Sequence, residues 1–233
     1  MSVTVAERLH LADVPFTLSP LNVPCEIVHG AVVPHERREG VLIIGAGLGR
    51  QEAPLHDPRY EVWTCNLIAP WVHMAGVRYL RADRWFDLHQ HCAQTEDDLR
   101  WIAKCPVPIY LPEDLQTASP LAVRYPLAEM EDRYGGYWAC TFAYQIALAL
   151  SEGFTRIGLY GVELAYGTAR ERTVEWANVA WWAGYAEAKG ITLELPAQSR
   201  IGRHTHRYGL EYDAEKIATE RYLDYLASAT DDA

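Results

Sequence analysis

An α/β fold built on a doubly wound, mostly parallel sheet is the expectation, and three observations lead to it. Residues 41–44, Val-Leu-Ile-Ile, form an unbroken apolar run that meets Gly45, Gly47 and Gly49. A strand buried on both faces reads this way, and such strands belong to parallel sheets covered by helices. Apolar runs of strand length then alternate with segments of helical periodicity, joined by short connections. Finally, the 233 residues are 49% hydrophobic and 22% charged, an ordinary globular composition. That length suits one large domain, or a domain with an appendage.

Taken in order, residues 1–40 are expected to be an irregular segment packed on the core. Pro15, Pro20, Pro24 and Pro34 punctuate it, with a short strand or hairpin at 25–33. The core domain is expected over 41–200. Its first strand is 41–44, and the second, 60–66, ends on Asn66. A third runs over 82–89. A helix over 95–104 follows, with Thr95 as its cap. The short strand 108–111 precedes a Pro-, Tyr- and acid-rich stretch, 112–136, read as a lid or active-site loop. A helix over 137–151 closes on Gly153, and the strand 155–163 ends on Gly161 and Glu163. The longest helix, 170–189, is assigned an inner face of Val174, Trp181 and Ala188, widened by Ala177, Trp182 and Tyr185. Gly190 stops it before a closing strand, 191–195. Residues 201–233 are expected to be a loop and an amphipathic helix.

The glycine turn has two readings. Glycines at a strand's carboxyl end let the backbone approach a ligand, usually a phosphate. The fingerprint Gly-x-Gly-x-x-Gly is not met, because the third glycine comes one residue early, and no Gly-Lys-Ser/Thr ending makes it a P-loop. The bland reading is a tight strand exit with no ligand. Asn66 divides similarly: a strand-end amide can meet a base or sugar, or it can simply form a turn.

The formal net charge of −10 disfavours non-specific nucleic-acid binding. No apolar run approaches the roughly 20 residues a membrane span needs, and the first residues do not read as a secretory signal. Cys25, Cys65, Cys92, Cys105 and Cys140 are odd in number and widely spaced, so they read as reduced core residues of a cytoplasmic protein. His89, His91 and Cys92, and separately His204 and His206, invite a metal reading. Neither group has a third ligand at a recognised spacing, and no metal is expected. His89 alone, closing a strand, is a candidate ligand-facing group. No Gly-x-Ser-x-Gly elbow supports a serine hydrolase. Glu163, Glu171 and Glu175 gather around the start of the longest helix. Glu171 reads as a complement to the helix dipole, whereas Glu175 is equally a candidate general base.

Four blocks carry a resemblance: Ile-Ile-Gly-Ala-Gly at 43–47, Val-Trp-Thr-Cys-Asn at 62–66, the long block 141–163, and 190–199. Their order resembles the small bacterial sialyltransferases with a Rossmann-like nucleotide domain. It is also similar to motility-associated glycosylation proteins, to the archaeal hydroxymethylpterin diphosphokinase, and most of all to uncharacterised phage-encoded proteins. The resemblance implies a Rossmann-like, glycosyltransferase-like single domain in which Gly45, Gly47 and Asn66 hold a nucleotide. Thr141, at a helix start, would meet its phosphate. Tyr134 and Tyr137, in the loop just before, could add phenolic hydrogen bonds to the same phosphate, and Glu163, at a strand's carboxyl end, is a further candidate for the nucleotide site. Ala46, Leu48 and Gly49 depart from the family's Gly-Asn-Gly-Pro-Ser turn. No histidine lies between residues 166 and 175, where the family keeps its base; Arg170, Arg172 and Glu175 stand there instead.

The resulting expectation is a nucleotide- or nucleotide-sugar-binding transferase acting on an acceptor hydroxyl. Glu175 or His89 would be the base, and Arg172 or Thr141 would steady the leaving phosphate. The nucleotide is substrate rather than a tightly bound cofactor. The alternatives are a diphosphokinase-like phosphoryl transferase, which would need magnesium, and a non-catalytic nucleotide binder. An assembly role would instead use Trp71, Trp181 and Trp182 in a homo-oligomer contact.

Overall fold

A computed structural model of the protein describes residues 16–162, 164, 168–197, 199 and 201, with the side chain of Arg172 left out. The chain divides into two compact units, 1–201 and 202–233, and the first is described below. The C-terminal helix expected beyond 201, the His204 and His206 pair, Glu163 and the side chain of Arg172 lie outside the described residues.

The strands in chain order are β1 (Thr17–Leu18), β2 (Cys25–Val28), β3 (Ala31–Pro34), β4 (Gly40–Ile44), β5 (Tyr60–Cys65), β6 (Trp71–Met74), β7 (Val77–Leu80), β8 (Arg84–Phe86), β9 (Ile109–Leu111), β10 (Ala122–Arg124), β11 (Arg156–Tyr160) and β12 (Thr192–Glu194). Seven form one sheet in the order β10-β9-β8-β5-β4-β11-β12, and every pairing in it is parallel. From β4 the chain builds outward through β5 to β10, then returns to the other side of β4 with β11. The order therefore reverses between β4 and β11, which is where open α/β sheets form a ligand crevice.

All five residues of β4 are buried. Val41 and Ile43 join the core on one face with residues of α3 (Thr141–Glu152) and α4 (Trp176–Ala188), while Leu42 and Ile44 pack with Tyr60, Val62 and Tyr160 on the other. This two-sided burial is why the strand carries no polar residue. On that second side, Trp85 joins Trp101 and Ile102 of α1 (Glu96–Lys104). Thr95 caps α1 as expected: its hydroxyl accepts from Asp98 N at 3.3 Å, and Asp98 Oδ2 accepts from Thr95 N at 2.8 Å.

Several expectations need correction. Residues 112–136 are not an open loop. They hold β10 and α2 (Leu127–Tyr134) and bury Leu115, Val123, Tyr125 and Met130. The helix expected from 137 starts at Thr141, because Tyr137 and Ala139 are bound instead to Asn178. The inner face of α4 is Asn178, Val179, Trp182, Ala183 and Ala186, whereas Val174 and Trp181 are 41% and 42% exposed. That helix is apolar nearly all round, so periodicity alone could not pick its buried side.

Two hairpins flank the main sheet, and both turn on consecutive left-handed residues. His29 and Gly30, with φ of 50° and 80°, join β2 to β3, while Ala75 and Gly76, with φ of 50° and 77°, join β6 to β7. The first matches the hairpin expected at 25–33; the second was not expected.

Candidate functional site

The carboxyl edge is held together from both sides of the topological reversal. Gly45 N donates to Tyr160 O and Gly47 N donates to Gly161 O, each at 2.8 Å. A Cβ on Gly45 would overlap the Gly161 carbonyl oxygen, and one on Gly161 would lie 2.5 Å from the Gly45 carbonyl oxygen. Gly161 also has φ of +71°, a region costly to any other residue. The glycines thus allow two backbones to touch. The Phe142 ring tip lies 3.0 Å from the Gly45 Cβ position, so it occupies that flank of the turn. With the N–H groups of Gly45 and Gly47 engaged, the first amides of the following 3-10 turn (Leu48–Glu52) are the ones left without an intrahelical acceptor.

Asn66 follows β5 in the left-handed region, φ 51°. Its backbone is fixed on both sides: its N–H donates to Phe86 O at 3.0 Å, and its carbonyl accepts from Trp85 Nε1 at 2.6 Å. Its side-chain oxygen is buried and has no hydrogen-bond partner among the described residues. A buried acceptor left unpaired costs about 1–3 kcal/mol, which makes this atom a good candidate for a ligand donor.

Thr141, half-buried, opens α3. No side-chain hydrogen bond caps this helix; the Cys140 sulfur lies against the N–H groups of Phe142 and Ala143. Burial pushes the Cys140 thiol up to about 11, so it stays protonated and is no nucleophile. The preceding loop is clasped by fully buried Asn178, whose Oδ1 accepts from Ala139 N at 3.1 Å and whose Nδ2 donates to Tyr137 O at 2.9 Å. Trp182 Nε1 donates to the same carbonyl. The Tyr137 ring turns outward, 38% exposed, edge-on to Trp181. Tyr134 packs on Trp182 and Tyr185. One turn into α3, Gln145 Nε2 donates to Thr64 O at 3.2 Å, which ties α3 to β5 just before Asn66.

His89 follows β8. Its Nδ1 lies 3.2 Å from Asp87 Oδ1, and that oxygen also accepts from Gln94 Nε2 at 2.8 Å. The Asp87 side chain is 3% exposed and that of His89 53%. The hydrogen bond to Asp87 raises the His89 pKa, with further contributions from the charges of Asp98 and Glu175. Glu175 is therefore near enough for its charge to be felt at His89, and it is felt at Cys140 as well. It ends a π-helical turn, Glu171–Glu175, and accepts from Arg170 Nε at 3.2 Å.

Glu175 thus lies within range of charge of both His89 and Cys140, the residue before α3, and Asn66 follows the strand that the Gln145 link joins to that helix. Sequence reasoning missed Asp87, Gln94 and Asn178. Only the Asp-x-His spacing at 87–89 offered a signal, since alternate residues of a strand share a face. Among the described residues, no three His, Cys, Asp or Glu gather as a metal site, and no helix is long and apolar enough to cross a membrane.

A cavity of about 500 Å³ opens elsewhere, beneath the β2–β3 hairpin. Glu61, Ser151, Glu152 and Phe154 line it, which places it toward the amino end of β5 and β11, away from the rim.

No protein-family profile and no curated protein matches the sequence. Among solved structures, the chain is similar to the sialyltransferase CstII from Campylobacter jejuni, determined in complex with a substrate analogue, cytidine-5'-monophosphate. The two share 12% identity, the match covers 78% of this chain and 99% of that one, and the TM-score is 0.44.

Proposed function

We propose that the protein is a nucleotide- or nucleotide-sugar-binding transferase that acts on an acceptor hydroxyl at the carboxyl rim of its parallel sheet. What supports this reading most is the Asn66 side-chain oxygen, buried beyond the carboxyl end of β5 with no hydrogen-bond partner among the described residues. The helix start at Thr141, the His89 side chain beyond β8 and the Glu175 carboxylate, whose charge reaches His89, add to it. Asn66 would read the base or sugar. Thr141, at the start of α3, would face the phosphate, where the helix dipole favours negative charge. His89 or Glu175 would accept the proton of the attacking hydroxyl, and Arg172 would steady the departing phosphate.

Calorimetry with nucleoside monophosphates and nucleotide sugars tests the reading directly. Heat of binding is expected for the nucleotides and none for the free sugars; a panel without a binder removes the proposal. A second reading, a nucleotide binder without turnover, is favoured by the engaged N–H groups of Gly45 and Gly47, which leave the turn fewer donors for a leaving phosphate. Tight binding unchanged in Glu175→Gln and His89→Gln, with no product formed, would select it.

A further inference from the structure

We infer that Asp87 is a positioning residue that fixes His89 in one tautomer, with Nε2 left free as the general base of the transfer. The inference rests on the transferase reading and decides between its two candidate bases.

An ionised carboxylate only accepts, so the 3.2 Å contact between Asp87 Oδ1 and His89 Nδ1 requires the proton to sit on Nδ1. In the neutral ring, Nε2 then carries the lone pair. Asp87 is itself held rigidly. Its backbone N–H donates to Tyr110 O at 2.9 Å, its side chain is buried, and Oδ1 accepts from Gln94 Nε2 at 2.8 Å and weakly from His89 N at 3.4 Å. The Gln94 amide donates at 3.0 Å to the His89 carbonyl as well, closing a small ring of contacts around the histidine backbone. The imidazole is the exposed member of this group, so the fixed carboxylate points an accessible base outward. A nucleophile or proton acceptor oriented by a third, buried group is how side-chain bases are activated.

The charged groups facing His89 come from three elements: Asp87 after β8, Asp98 on α1, and Glu175 before α4. All are carboxylates, so each stabilises the imidazolium that forms when the base takes up its proton. Glu175 is less suited to the role of base, because its carboxylate is already paired with Arg170. In the step itself, Nε2 takes the proton of the acceptor hydroxyl. The oxygen's electron pair forms the new bond to the electrophilic carbon or phosphorus of the donor. The bond from that atom to the nucleotide's phosphate oxygen breaks, and its electrons leave with the phosphate. The imidazolium then returns its proton to water.

The test uses the full chain with isotope-labelled histidine and follows the His89 ring by NMR across pH, with no ligand present. Asp87→Asn is expected to lower the His89 pKa and to lose the Nδ1–H tautomer. Gln94→Leu, which keeps the buried carboxylate and frees Oδ1 of its second donor, is expected to give a smaller shift in the opposite direction and covers the case in which Asp87→Asn does not fold. An unchanged titration and tautomer in whichever of the two variants folds would overturn the inference. With a nucleotide sugar that turns over, His89→Gln should lose about 10²–10⁴-fold in kcat/KM. In Asp87→Asn the rising limb of the pH profile should move to lower pH, which a purely structural role would not cause. A His89→Gln variant retaining full activity would also overturn the inference. If no nucleotide binds, the transferase reading and the assignment of a base fall together, while the titration still decides the pairing.

Discussion

At the amino end of the main sheet, Arg81 with Asp83 and Arg84 with Glu61 form ion pairs of 2.5 and 3.1 Å with no exposed side-chain surface. Asp83 also accepts from Val23 N and Val62 N, Arg81 donates to Tyr60 O, and Arg84 forks onto Glu152 at 2.5 and 2.8 Å. At the carboxyl end, His89 is half-exposed, the Asn66 side-chain oxygen is unanswered, and α3 begins without a hydrogen-bonded side-chain cap. The same residue types serve two purposes. Charges closed off from water and paired to each other fix the register of the segments they join, and carry a large cost if one partner is removed. Groups left partly wet and incompletely partnered beyond the carboxyl ends of parallel strands are available to a ligand.

The difference can be broken most forcefully at Arg84. Arg84→Met leaves Glu61 buried beside an apolar chain and should cost about 3–5 kcal/mol in urea unfolding; a loss below about 1 kcal/mol would mean the amino-end network is not structural. Next comes the backbone contact at the reversal. Gly161→Ala should cost about 2–4 kcal/mol, from both its left-handed backbone and the overlap with Gly45. Gly153, which ends α3 in the left-handed region at φ 79° and ψ 29°, with nothing within 4 Å of its Cβ position, is the control. Gly153→Ala should show only the backbone part, about 1–2 kcal/mol, and equal losses at both positions would refute the close contact as the reason for Gly161. At the carboxyl end, Asn66→Gly preserves the left-handed turn and deletes the unpaired oxygen. Stability should rise by about 1 kcal/mol as the buried unpaired acceptor is removed, while nucleotide affinity should fall about tenfold, near 1.4 kcal/mol. An unchanged affinity would remove Asn66 from the site.

The smallest effect is on pH. His89 has a folded pKa raised above its ordinary 6.5 by Asp87. Its contribution to stability is therefore fully present below about 6.5 and is lost as pH rises through the elevated folded value. Being half-exposed, it should contribute little. Subtracting the urea-midpoint profile of His89→Gln from that of the parent isolates it, and a difference that grows with rising pH would contradict the ion pair.

The parts of the fold written in local pattern were legible. The apolar run of β4 and the Thr95 and Asp98 capping box each contain their own explanation within a few residues. What could not be read depends on partners far along the chain. Asn178 looks like a stray polar residue on an apolar helix until the 137–140 loop, some 40 residues earlier, is seen to need its amide. The close approach of Gly45 to Gly161 is invisible in the turn itself, because the two lie more than a hundred positions apart. In 112–136, prolines and charges hid a short edge strand and a two-turn helix whose few buried residues, such as Val123 and Met130, make no periodic signal. His89 was singled out without Asp87, because a carboxylate two residues away reads as surface until its burial is known.

The π-helical turn at Glu171–Glu175 sets a phase. Such a turn accommodates one more residue than an α-turn, and α4 beyond it is locked by Asn178 and Trp182. Deleting Thr173 would therefore leave the locked portion in place and rotate the residues ahead of it by about 100°. Arg170 and Glu171 would swing to another side of the helix, while Glu175, next to the anchor, would keep its bearing but lose its guanidinium partner. A single-residue deletion thus becomes a dial for the charge presented to His89, one that leaves the sheet and its core untouched.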